Sequence, residues 1–203
     1  MSLTTLVDAQ HLSRVFNISN ADNVTLNGLT LQNGQTAGLG GAILWDQASD
    51  GDRLQILDSV LTGNMADEGG AVAMVTLPQT SQGHLNIVRS ELTGSSASGS
   101  GGAVSLHNVS ATVFDSTLSS NTAGGNGEVA AGNGTMDSAL LTDSAGDELF
   151  TAAGAQGDLS GIGYFIRTTG FDTIRIRGVN GGVNQLMLTP PLAYNLIQIG
   201  SWV

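Results

Sequence analysis

Three acidic side chains crowd the segment Asp46-Gln47-Ala48-Ser49-Asp50-Gly51-Asp52. Carboxylate oxygens at that density suit calcium, a hard cation that takes oxygen ligands. Asp46, Asp50 and Asp52 are therefore the candidate metal site, with calcium as the ion it would take; no cofactor is otherwise expected. The spacing fits no EF-hand loop, and a solvated acidic turn uses the same residues. Asp143, Asp147 and Glu148 form a second acidic group. It lacks the Gly-Gly-x-Gly-x-Asp pattern of calcium-binding nonapeptide repeats and reads as a polar turn. Trp45 stands beside the first loop, as a ring for a sugar to stack on or as a cover for the core.

Arg175 and Arg177 alternate with Ile174 and Ile176, so both project outward from one strand, with Arg167 placed near them. They are the candidate ligand-binding pair for anions such as uronates; Asp172 close by offers surface ion pairs as the alternative. A uronate lyase needs cations to neutralise the carboxylate and a base for the adjacent proton. Arg14, Arg53 and Arg89 fall in separate parts of the chain and make no such cluster. A glycosidase needs two carboxylates. Asp58 and Asp115 take equivalent slots in a repeat set out below, with Arg89 in the slot between. At about 4.8 Å per stacked strand they would stand roughly 9–10 Å apart, near the inverting range, though repeat position alone also accounts for them. His11, His84 and His107 share no spacing, and the sequons at Asn17, Asn23, Asn108 and Asn133 are those that chance supplies in a chain rich in Asn, Ser and Thr.

What must position these residues is a repeat. Gly40-Gly41-Ala42-Ile43 recurs as Gly69-Gly70-Ala71-Val72 and Gly101-Gly102-Ala103-Val104, at intervals of 29 and 32 residues. Leu31, Leu61, Leu92 and Leu118 recur in phase, at intervals of 30, 31 and 26. Each leucine follows a short alternating run: Val24-Thr25-Leu26, Leu54-Gln55-Ile56, Leu85-Asn86-Ile87 and Thr112-Val113-Phe114. Asp58-Ser59, Arg89-Ser90 and Asp115-Ser116 mark a bend. Asn64-Met65-Ala66, Ser95-Ser96-Ala97 and Asn121-Thr122-Ala123 read as small polar turns. No unit holds ten residues of helical periodicity. Strands of three to five residues cannot bury a face alone, but stacked units align them into parallel sheets with aliphatic columns inside. The expected class is all-β, a parallel β-helix of about 26–32 residues per coil. An Asn/Ser ladder is expected at positions 64, 95 and 121. Residues 46–52 and 76–83 are insertions after the Gly-Gly strand, on the side where repeat proteins often bind.

Composition agrees. Of 203 residues 29 are glycine, 4% are aromatic and 11% are charged; there is no lysine and no cysteine. The 40% hydrophobic content argues for a folded chain. A net charge of −11 excludes a basic nucleic-acid footprint and a polybasic membrane patch. Without cysteine there is no disulfide framework. No apolar run is long enough to span a membrane, and no signal peptide is visible. Met1-Ser2-Leu3 runs straight into a strand-like segment and reads as a start within a longer protein.

Gly-Gly-Ala-Ile/Val preceded by Leu-x-x-Asn and Asn-x-Ala resembles the repeats of polymorphic outer-membrane proteins and autotransporter-like adhesins. Leu61-Thr62-Gly63-Asn64 and Leu118-Ser119-Ser120-Asn121 fill that family's Phe-x-x-Asn slot with Leu for Phe. Leu92 is followed by Ser95, and Leu31 by Asn33 one residue early. The wider resemblance, over about residues 3–135, is to secreted bacterial right-handed β-helix proteins, a pectin-lyase-like architecture. Residues 136–203 lose the Gly-Gly-Ala mark. Leu141 to Phe150 and Gly170-Phe171-Asp172 are similar to repeats of very large bacterial surface proteins. Two divisions follow: coils over 1–135, and over 136–203 a β-rich extension or cap, with strands at 164–166, 173–177, 185–188 and 196–199 and an interruption at Pro190-Pro191.

The resemblance implies a secreted or cell-surface module, structural or adhesive, with an extracellular polysaccharide or a host or neighbouring surface as partner. End-to-end self-association through an open coil is a further expectation. The alternative is a polysaccharide lyase or glycosidase on the same fold, since fold alone does not select chemistry. The weak catalytic clustering favours the non-enzymatic reading.

Overall fold

The computed structural model describes residues 5–19, 21–76, 83–114, 116–125, 129–131, 138–142, 146–161, 164–179 and 181–203. Among them are strands in four sheets, of five, seven, three and nine strands, and no helix. The all-β class and the parallel pairing of successive repeats, both expected from the sequence, are seen.

The alternating runs form the seven-stranded sheet. Asn23–Asn27, Arg53–Leu57, Gly83–Val88 and Val109–Phe114 pair in parallel, with Val24 against Leu54, Leu54 against Leu85 and Leu85 against Ala111. Leu26, Ile56, Ile87 and Val113 make the second inward column. Leu54, Ile56, Leu85 and Ile87 are essentially inaccessible to solvent. The recurring leucines Leu31, Leu61, Leu92 and Leu118 line up in the five-stranded sheet and are all fully buried. Each contributes on the order of 2 kcal/mol of apolar transfer. The residues after Gly-Gly lead into the nine-stranded sheet, where Ile43, Val72 and Val104 are neighbours. All these side chains belong to one continuous core.

The Gly-Gly pair is fixed by two different constraints. Gly69 has φ +62, a left-handed backbone that costs glycine little. Gly70 is needed for space: a Cβ there would meet the carbonyl oxygen of Gly102, and that of Ser96 at 2.7 Å. Repeats thus touch backbone to backbone at this corner.

Two side-chain ladders tie one repeat to the next. The Asn64 Oδ1 accepts the Gly34 N–H at 2.8 Å, and Asn64 Nδ2 donates to the Leu31 carbonyl at 3.2 Å. The Asn64 N–H donates to Ser95 Oγ at 3.4 Å, and the Ser95 N–H to Asn121 Oδ1 at 3.0 Å. This is the ladder expected at 64, 95 and 121. The second runs through the bend: the Leu29 N–H donates to Ser59 Oγ, the Ser59 N–H to Ser90 Oγ and the Ser90 N–H to Ser116 Oγ, at 3.0–3.1 Å. Met65–Ala66, Ser96–Ala97 and Thr122–Ala123, read from sequence as turns, are two-residue strands forming the three-stranded sheet.

The seven-stranded sheet continues past residue 135. Ser138–Thr142, Thr173–Gly178 and Asn195–Gly200 add to it in parallel, in that order. The nine-stranded sheet departs from the repeat. Tyr164–Thr169 pairs in parallel with Val129–Ala131, but antiparallel with Gln156–Gly161, which in turn pairs antiparallel with Leu149–Gly154. Nothing in the repeat pattern announces this meander. Pro190 and Pro191 lie within the edge strand Gln185–Leu192, and the pairing is interrupted there as expected: the register passes from Ala153–Thr189 to Gly154–Leu192 and skips both prolines. The register against Leu149–Gly154 shifts at Ala153/Gly154.

Candidate functional site

The strand Thr173–Gly178 alternates as expected. Ile174 and Ile176 are fully buried, Arg175 is half-buried and Arg177 exposed, so both guanidiniums stand on the outer face of the seven-stranded sheet. Register places Arg175 between Leu140 and Ile197, and Arg177 beside Ile199. Arg53 and His84 face each other on neighbouring strands at the other end of the same surface. Among the described residues, none of the guanidiniums of Arg53, Arg175 and Arg177 has a hydrogen-bond or ion-pair partner.

Arg167 is not part of this group. It sits in the nine-stranded sheet, where its Nε and Nη2 donate to the Asp158 carboxylate at 2.8–3.3 Å. Gln156 Nε2 also donates to Asp158, and the Tyr194 hydroxyl donates to the Gln156 carbonyl at 3.0 Å. Burial, with the Asp158 charge second, pushes the Tyr194 hydroxyl up to about 12. This cluster locks the antiparallel meander together.

The other arginines outside the face serve the stack. Arg14 donates through Nε to the Gly40 carbonyl at 2.9 Å and through Nη2 to the Leu39 carbonyl at 2.6 Å. Burial lowers its pKa and the Asp46 charge raises it, with a net shift downward. Arg89 forms a two-point pair with Asp58, 2.8 Å from Nε and 2.7 Å from Nη2. That contact holds the Asp58 carboxyl below the usual carboxylate range. Asp58 is thus engaged by the very residue that separates it from Asp115 in the repeat; Asp115 itself lies outside the described residues.

The three aspartates of the first loop are not brought together as ligands. Asp52 is buried and its Oδ2 accepts the Ser49 N–H at 2.6 Å, closing the turn, while Asp46 and Asp50 are exposed. Among the described residues no three or more His, Cys, Asp or Glu side chains are grouped to hold a metal ion. Trp45 is fully buried in the core, in register with Met74, and presents no ring to solvent. In the second acidic group Asp147 Oδ1 accepts the Val183 N–H at 2.7 Å, and Glu148 is buried beside a hollow of about 300 Å³. Asp143 and Asn133 lie outside the described residues, as does most of the insertion 76–83.

One polar cluster was invisible in the linear sequence. Glu68 Oε2 is 3.2 Å from both Ser105 Oγ and His107 Nε2, and Ser105 Oγ is 3.5 Å from the same Nε2. The registered pairing of Val72 with Val104 brings these repeats together. A nucleophile, base and acid acting in series need the serine and the acid on opposite ring nitrogens. Here both meet Nε2, so the set is a bridge between repeats.

No family model matches the chain, and neither a curated protein nor a solved structure was found to be similar to it. The case for function therefore rests on the residues themselves.

Proposed function

We propose that this chain is a right-handed parallel β-helix module of a large exported bacterial protein, structural or adhesive in role and not enzymatic, akin to the polymorphic outer-membrane protein repeats it resembles. The observation that carries the reading is the pair of ladders through Asn64, Ser95 and Asn121 and through Ser59, Ser90 and Ser116. Polar side chains at the corners bond the backbone of the adjacent repeat. That arrangement stiffens a stack along its length. Arg14, and the Arg89–Asp58 and Glu68–His107 pairs, add further ties between repeats. Arg53, Arg175 and Arg177 then stand on an outer face available to a surface ligand.

Two measurements test the reading. Small-angle X-ray scattering should give a compact, rigid particle about 29 Å along the stack, from six spacings across the seven-stranded sheet, with no signature of a flexible chain. Incubation with uronate polymers, with and without calcium, should leave the polymer intact by both unsaturated-product absorbance and reducing-end assays. Steady product growth, abolished by chelation, would replace this reading with a polysaccharide lyase.

A further inference from the structure

The seven strands whose outer face carries Arg175 and Arg177 contain no acidic residue. The chain has 17 acidic residues and a net charge of −11. Yet this one sheet holds three of its six arginines, together with His84. Among the described residues, the acidic neighbours Asp22, Asp52, Asp58 and Asp172 lie in the flanking turns, outside the strands; in sequence Asp115, Asp137 and Asp143 also adjoin strands of this sheet without entering them. Such segregation makes one face locally attractive to anions on a molecule that repels them elsewhere.

The layout along the sheet narrows the partner. Arg53 and Arg175 are four strand spacings apart, about 19 Å. Between them, one column of outward side chains runs Gln55, Asn86, Thr112, in register. None of the three side chains has a hydrogen-bond partner among the described residues. A small anion cannot reach both cationic ends; a linear polymer can. The strand spacing of about 4.8 Å is close to the length of one pyranose unit in an extended glycan. A chain laid along the stack therefore meets a hydrogen-bonding side chain on three successive strands, then the aliphatic Leu140, then Arg175. The aliphatic neighbours of the arginines, Leu140 and Ile197, offer C–H surface to a sugar ring.

We infer that the outer face of the seven-stranded sheet binds a linear acidic polysaccharide lying along the stack, its carboxylates engaged by Arg53 at one end and by Arg175 and Arg177 at the other. This rests on the reading of the chain as a non-enzymatic module and names the ligand class for it.

The test is calorimetric titration of the purified chain with polygalacturonate, beside neutral dextran and a single-stranded oligonucleotide. Saturable binding of polygalacturonate is expected, weakened by added salt. The double variant Arg175→Gln/Arg177→Gln should weaken it roughly fivefold or more, from two lost exposed ion pairs. Arg53→Gln should weaken it less, and Arg89→Gln, outside the face, should leave it unchanged. The inference is overturned by absent binding in a chain with intact circular dichroism, by equal binding of dextran, by tighter binding of the oligonucleotide, or by full binding in both face variants. Breakdown of the bound polymer would overturn the non-enzymatic reading and leave the binding face standing, so the two fail separately.

Discussion

The side-chain oxygen of Asn64 accepts the backbone N–H of Gly34, thirty residues earlier in the chain, at 2.8 Å. Asn64 is fully buried, and its Nδ2 donates to the Leu31 carbonyl. Asn64→Ala takes the acceptor from the buried Gly34 N–H and one of the donors from the Leu31 carbonyl, at about 2 kcal/mol in all. Asn64→Ser keeps an acceptor, as Ser95 does one repeat on, and should cost about 1 kcal/mol. Urea unfolding of the two variants checks this; equal midpoints would show that the ladder contributes little.

Gly70 gives a second, steeper expectation. Its Cβ would strike the Gly102 and Ser96 carbonyls of the next repeat, so Gly70→Ala must push two backbones apart. A cost of about 4 kcal/mol, or failure to fold, is expected. Gly51 is the comparison: φ is +83, but nothing lies within 4 Å of its Cβ. Gly51→Ala should cost only the left-handed backbone, about 1 kcal/mol. Thermal melts of the pair separate close packing from backbone conformation.

The contrast between these glycines also shows what the sequence could reveal. The Gly-Gly-Ala mark, the leucine column and the Asn/Ser column all recur at a near-constant interval. Registered stacking turns an interval into a contact, so that part of the fold was legible. Trp45 was not: an aromatic at a strand end has the same local pattern whether it faces sugar or core, and only the Ile18–Trp45–Met74 register settles it. Arg167 misled because closeness in sequence to Arg175 counts for nothing once the meander moves its strand to another sheet. The acid-free face was present in the sequence as seven separate runs, and became visible only when pairing assembled them.

Arg89 and Asp58 lie one repeat apart at the bend, both with φ +47. Arg89 lowers the Asp58 carboxyl from its ordinary value of 3.8. A lowered folded value means that the pair's contribution is present above pH 3.8 and is lost as pH falls through the lower one. Both side chains are about half exposed, so the melting temperature at neutral pH should barely change in Arg89→Gln. What should change is the titration itself: in carboxyl-detected NMR, the Asp58 midpoint rises toward 3.8 in the variant. An unmoved midpoint would place the cause in the bend backbone and not in Arg89.

The meander beyond residue 145 depends on a different kind of pair. Asp158 is 7% exposed and takes Arg167 and Gln156 together, while the guanidinium is half exposed. Arg167→Met would leave that carboxylate buried with only the Gln156 amide, at about 2 kcal/mol once solvent screening of the guanidinium is allowed for. Tyr194 closes the cluster from the C-terminal side, bonded to the Gln156 carbonyl. Its hydroxyl is raised from 10 to about 12, so folding favours the neutral phenol. The sign follows: the contribution is whole below pH 10 and disappears as pH rises toward 12. Tyr194→Phe removes the donor, costing about 1 kcal/mol near neutrality, and removes the titration as well. Urea midpoints followed from pH 8 upward should therefore fall more steeply in the parent chain than in Tyr194→Phe. Parallel curves above pH 10 would mean that the Tyr194 hydroxyl reaches solvent and that the cluster is looser than its hydrogen bonds imply.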